Sequence, residues 1–249
     1  MKVRLDKLLV GRGLAASRER AQALILAGKV LVDEQKLAKA GAQVSEECVI
    51  RILGEDLKYV SRGGLKLERA LDHWNIAVSG KVCLDVGAST GGFSDCLLQR
   101  GAARVVAVDT GYGQMDFKIR QNARVRLLEK TNARYLTRDA VGVAVDLVVV
   151  DVSFISATLV LPAVIDSAFP QSADERKGKE IVVLVKPQFE AGRENVGKGG
   201  IVRDEEIQLE AVKKVKTALQ NLGAAQTDTI ESPILGAEGN REFLLYGVF

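Results

Sequence analysis

Two hydrophobic periods alternate along the chain from Val82 onward. Short, nearly unbroken apolar runs recur as VCLDV (82–86), RVVAVD (104–109), VRLLE (125–129), VDLVVVDVS (145–153), IVVLVKP (181–187) and EFLLYGVF (242–249). Between several of them lie longer stretches with apolar residues three and four apart, FSDCLLQRG (93–101), LVLPAVIDSAF (159–169) and EEIQLEAVKKVKTALQNLG (205–223). Runs of this kind are strands buried on both faces, and the stretches between them are amphipathic helices. Their alternation predicts a doubly wound α/β domain around a mostly parallel sheet. A linker, Tyr59 to Gly64, leads into it, followed by a helix from Leu65 to His73.

The first 58 residues follow another pattern. Segment 3–13 carries Val3, Leu5, Leu8 and Leu9 with Arg4 and Lys7 between them, predicting a short helix. Ser17 is placed to cap a second helix, whose Ala21, Leu24 and Ile25 share one face and which Gly28 stops. Residues 29–32 and 49–52 read as short strands, with Asp33-Glu34-Gln35 as a turn. The expected organisation is a small α+β module over 1–58 ahead of the α/β domain over 59–249.

Composition narrows the classes. The chain has 249 residues, 47% hydrophobic and 27% charged, as expected of a globular protein. No apolar run approaches the ~18 residues of a spanning helix, and no signal-peptide core opens the chain. Cys48, Cys83 and Cys96 lack the spacing of a disulfide framework or a zinc site, which makes a reducing cytoplasm the expected location and a metal centre unexpected. The single His73 leaves no triad to build. The net charge of +3 is concentrated at one end, since residues 1–30 hold 7 Lys and Arg against 2 Asp and Glu. That polarity suits a polyanion-binding appendage.

The candidate chemistry begins at the turn Gly87-Ala88-Ser89-Thr90-Gly91-Gly92, after the first strand of the α/β domain. It is not the dinucleotide pattern G-x-G-x-x-G. Asp85 precedes it by two residues, unfavourable for a pyrophosphate and suited to a cationic amino group. Asp109 ends the next strand, where an acid accepts hydrogen bonds from ribose hydroxyls. A ribose with a cationic tail and no phosphate describes S-adenosyl-L-methionine, with NAD the alternative that the turn alone leaves open.

Further residues carry two family resemblances. Arg4-Leu5-Asp6-Lys7-Leu8-Leu9, Ser17-Arg18, Ala21, Ile25, Gly28, Val30 and Val32 resemble the S4 RNA-binding domain, which implies RNA contacts from Arg4, Lys7, Arg18, Arg20 and Lys29. A solvated basic face is the bland alternative. Leu84 to Ser94 resembles the first motif of FtsJ-type 2′-O-ribose methyltransferases, and the catalytic Lys-Asp-Lys-Glu tetrad of that family finds matches at Lys66, Asp151, Lys186 and Glu242. Taken singly, Asp151 could cap a helix, and Lys66 and Glu242 could be surface charges. Together with the S4-like module they make the whole chain similar to the TlyA family of ribosomal RNA methyltransferases. The resemblance implies a Rossmann-like methyltransferase fold and methyl transfer to a ribose 2′-hydroxyl of a cytidine in ribosomal RNA. It also implies a cofactor site from Asp85, Gly87, Ala88, Ser89, Gly91, Gly92, Phe93, Asp109, Asn132 and Asp151.

Two departures qualify it. Ser89 and Thr90 replace the middle glycine of the turn, which predicts a backbone slightly farther from the ligand. Asn132 stands where related enzymes carry an acid facing adenine. Gly192 to Gly199 nearly spells a phosphate-binding P-loop but lacks its final hydroxyl and its helix, so it is expected to be a mobile basic loop. Two rival functions remain at this stage, an RNA-binding protein with an inactive methyltransferase domain and a membrane-active haemolysin.

Overall fold

The computed structural model describes residues 2–15, 17–53, 58–236 and 238–249. The chain divides into two units, Met1–Asp56 and Leu57–Phe249.

The first unit runs β1 (Lys2–Arg4), α1 (Leu5–Gly11), α2 (Arg18–Leu26), β2 (Val30–Val32), β3 (Gln35–Lys36), β4 (Gln43–Ser45) and β5 (Ile50–Ile52). The helix expected from residue 3 starts at Leu5 instead, because Lys2–Arg4 pairs antiparallel with β4 and places Val3 opposite Val44. Ser17 does cap α2, its hydroxyl accepting from the Arg20 N–H. Asp33 and Glu34 both have positive φ (48° and 65°), the conformation a tight two-residue hairpin between β2 and β3 demands. Leu5, Leu9, Ala21, Ile25 and Val30 are fully buried and form this unit's own core.

The second unit continues through α3 (Gly63–His73), β6 (Val82–Val86), α4 (Gly92–Gln99), β7 (Arg104–Val108), α5 (Phe117–Arg120), β8 (Val125–Leu128), α6 (Arg138–Val141) and β9 (Leu147–Val150). It ends with α7 (Leu161–Ala168), α8 (Ala173–Arg176), β10 (Glu180–Val185), α9 (Pro187–Glu190), α10 (Glu205–Asn221), β11 (Gln226–Glu231) and β12 (Phe243–Val248). The sheet order is β11-β12-β10-β9-β6-β7-β8. Strands β6 to β10 are parallel, and β12 runs antiparallel to both β10 and β11.

Period-two alternation divides each strand between two cores. Leu84, Val86, Val148 and Val150 face α7 and α10, whereas Cys83, Leu147 and Val149 face α3 and α4. The chain leaves β6 toward β7 on one side and returns through β9 on the other. This β6/β9 reversal is the switch point at which open α/β sheets bind ligands, beyond the carboxyl ends of the strands.

Candidate active site

Three cavities adjoin at that switch point. The first, of about 400 Å³, is lined by Gly87, Ser89, Asp109, Asn132 and Asp151 among others. Its size suits a small-molecule cofactor. The Asp109 carboxylate is aimed by two backbone donors, Ser89 N–H at 2.7 Å and Gly111 N–H at 2.6 Å. Each oxygen retains acceptor capacity for a ribose hydroxyl. The Asn132 carbonyl accepts from the Arg134 N–H at 3.0 Å, leaving its amide hydrogens for an adenine edge. Gly87 has φ +85°, and a Cβ there would collide with the Asp151 carbonyl, so only glycine lets the turn close onto the end of β9.

The second cavity, of about 260 Å³, shares Gly87, Ser89 and Asp151 with the first and adds Lys66, Lys186 and Glu242. The four matched residues, which come from α3 and the ends of β9, β10 and β12, thus line one cavity. They form two cross-linked pairs. Lys66 holds Glu242 in a buried ion pair that spans 176 residues of sequence. Lys186 Nζ lies 2.6 Å from Asp151 Oδ1 and donates to Ser153 Oγ at 2.8 Å. Two amines and two carboxylates balance in charge, and each amine is held in place by its carboxylate. The third cavity, of about 370 Å³, opens beside Lys186 and Glu242 and is walled by Phe154 and Phe189.

Other expected site residues fall less simply. Ala88, Gly92 and Phe93 line the second cavity, but Gly91 lines none of the three and serves as the left-handed N-cap of α4. Asp85 lines none either. Its place in β6 turns it to the α4 face, where Ser94 Oγ donates to it at 2.6 Å and its other oxygen is buried without a hydrogen-bond partner among the described residues. Burial pushes its pKa up to about 7. Ser89, where the turn lacks its middle glycine, adopts the positive φ (47°) that glycine favours. The segment 192–203 is no P-loop, since a 3-10 turn and a Gly197–Ile201 bridge stand where a P-loop would carry its helix.

In the first unit, Arg4 and Arg18 converge on a residue that charge counting treated only as an offset. Asp6 is buried and accepts from both Arg4 and Arg18 at 2.9 Å and from Gln22 at 3.1 Å. The Arg4 hydrogen bond above all holds its pKa far below the usual carboxylate range. Both guanidiniums stay about half exposed, as a preorganised pair of cations. Lys7 is exposed and Lys29 half-buried, while Arg20 is half-buried and partnered.

Phe154 is a candidate that the hydrophobic pattern did not reveal. It is 92% exposed at positive φ (64°), a strained conformation for an aromatic residue, and its ring lies 5.4 Å from that of Phe189. No sequence signal marks a left-handed phenylalanine.

Comparison with known proteins agrees with this geometry. The FtsJ-like methyltransferase model matches residues 59–249, and the S4 domain model matches residues 3–50. The 16S/23S rRNA (cytidine-2′-O)-methyltransferase TlyA of Mycobacterium tuberculosis is 46% identical over 98% of this chain and 89% of its own. Hemolysin A of Brachyspira hyodysenteriae is 39% identical over 98% of this chain and 99% of its own. A solved structure from Streptococcus thermophilus, provisionally named a hemolysin, superposes with a TM-score of 0.72 at 40% identity, covering 99% of this chain and 88% of that one. Among the described residues no helix is long and apolar enough to cross a membrane. The chain belongs to the FtsJ-like methyltransferase family, in the S4-bearing TlyA group.

Proposed function

We propose that this protein transfers a methyl group from S-adenosyl-L-methionine to the 2′-hydroxyl of a cytidine in ribosomal RNA, in the cytoplasm. The observation that carries the reading is the pair of lysine–carboxylate contacts where the three cavities adjoin. Residues 59–249 form the methyltransferase domain and 1–58 the RNA-binding module, with Arg4, Lys7, Arg18, Arg20 and Lys29 as its contacts to RNA.

S-adenosyl-L-methionine would be held in the first cavity, Asp109 accepting from its ribose hydroxyls, Asn132 meeting its adenine edge and the turn residues Gly87 to Ser89 meeting its tail. It supplies a methyl group already activated on a sulfonium. The chain must align a ribose oxygen with that methyl and take up the hydroxyl proton. Lys186 is the acceptor, which requires its amine to pass its own proton on, to Asp151 at 2.6 Å or to solvent, before it takes the hydroxyl proton. Asp151 and Ser153 fix the direction of its amine, and Glu242 and Lys66 hold the opposite wall. Phe154 offers an exposed aromatic face at the third cavity, where an unstacked base could lie. Asp85, which no cavity reaches, supports the turn through Ser94 rather than touching the ligand.

S-adenosylmethionine should raise the melting temperature of the protein by mass action, and NAD should not. Asp109→Ala should weaken that binding by roughly 1–3 kcal/mol, the cost of losing hydrogen bonds to a charged group. A stabilising response to NAD with none to S-adenosylmethionine would contradict the cofactor assignment.

A further inference from the structure

The glycine-rich segment 192–203 has no part in the chemistry above, yet it is built with care. Asn240, 1% exposed, accepts from the Val202 N–H at 3.0 Å and donates to the Gly200 carbonyl at 2.8 Å. Gln208, 3% exposed, donates to the Val202 carbonyl at 2.7 Å, and Asn195 donates to the Ala191 carbonyl at 2.7 Å. Two buried polar side chains thus hold this one loop, and Asn240 lies only two residues before Glu242. The sequence pattern predicts mobility; these bonds make the loop a fixed feature of the site.

Its charges are arranged unusually. Arg193, Lys198 and Arg203 are exposed, and none has a carboxylate within ion-pair distance among the described residues. Arg241, next to the Asn240 that holds the loop, is by contrast paired with Glu205 and Glu231. The loop's own Glu194 is folded over Gly192, where a Cβ would run into its carboxylate. Asp204 is committed to capping α10. Gly199 and Gly200, both at positive φ, leave open space in front of the backbone and line the third cavity beside Lys186 and Glu242. Glu238 is the other carboxylate on that lining.

We propose that the 192–203 loop is a phosphate clamp for the RNA strand that carries the target nucleotide. The inference rests on the proposed function. In RNA the 2′-oxygen and a phosphate-bearing 3′-oxygen sit on adjacent carbons of one ribose, so a nucleotide presented to Lys186 brings its own phosphates to the rim of the third cavity. The open backbone of Gly199 and Gly200 meets them there, the loop's three uncommitted cations flank those glycines along the chain, and such contacts fix register without reading sequence. The loop is a second electrostatic contact on the catalytic unit, separate from the basic end of the S4 domain.

The test is a salt titration of full-length protein binding to a ribosomal RNA fragment, native against the double variant Lys198→Ala/Arg203→Ala. The clamp predicts that the slope of log affinity against log salt becomes shallower by about two, one for each lost phosphate contact. Lys198→Glu should weaken binding further than Lys198→Ala. The thermal shift given by S-adenosylmethionine should be unchanged, which checks that the variants are folded. A slope equal to the native one in folded variants overturns the clamp. Native protein that methylates ribosomal RNA while its variants keep the native slope contradicts the clamp alone. Native protein that binds RNA through the clamp but transfers no methyl contradicts the proposed function and not the clamp.

Discussion

Replacing Lys186 by alanine is expected to lower turnover on ribosomal RNA about 10²–10⁴-fold, the usual contribution of a general base. A ribose hydroxyl is a weak nucleophile at neutral pH, and the transferred methyl needs no further activation, so loss of the proton acceptor falls on the chemical step. The amine is placed by Asp151 at 2.6 Å and Ser153 at 2.8 Å, where the second and third cavities meet. Lys186→Arg should be equally inactive, because a guanidinium keeps the charge but cannot give up its proton. Both variants should still bind S-adenosylmethionine, since the ribose and adenine contacts lie in the first cavity. Single-turnover kinetics with saturating RNA separate this from a binding defect. Near-native methylation by Lys186→Arg would show that another group takes the proton.

The structure adds the pairing to that chemistry. Lys66 is held by Glu242 and Lys186 by Asp151, so each amine answers to a carboxylate. Those partners come from segments far apart in the chain, and no local spacing indicates which lysine meets which acid. The central strands, by contrast, were legible because burial on both faces demands unbroken apolar runs, as in Leu147–Val150 and Ile181–Val185. A three-residue strand with one apolar position, such as Lys2–Arg4, has no period long enough to distinguish it from a helix. Asp85 shows a related limit of spacing. Its distance from Gly87 along the chain suggested a ligand contact, but alternation in β6 turns its side chain beneath α4. The basic end was read as free charge, whereas Arg4 and Arg18 are organised around Asp6.

Removal of residues 1–56 should reduce kcat/KM on ribosomal RNA by about 10²–10⁴, the gain that a second linked binding module supplies through effective concentration. The remaining chain should keep its thermal response to S-adenosylmethionine. The physical ground is that each unit has its own core. Among the described residues, 3–52 supply all of the first, and the two cores flanking the sheet draw only on residues from Tyr59 onward. In the intact protein, Arg4→Ala and Arg18→Ala should each flatten the salt dependence of RNA binding by roughly one unit, because each guanidinium is about half exposed and keeps N–H groups free for a phosphate. A truncated protein with full activity on ribosomal RNA would contradict the role given to the first unit.

The most direct measurement incubates ribosomal RNA with the protein and S-adenosylmethionine carrying a labelled methyl, then maps the label by mass spectrometry of nucleosides and by alkaline hydrolysis. The account predicts label on the 2′-oxygen of a cytidine ribose, with the adjoining phosphodiester resistant to alkali because its internal nucleophile is blocked. Label on a base nitrogen or carbon, or native protein that transfers none, would contradict it.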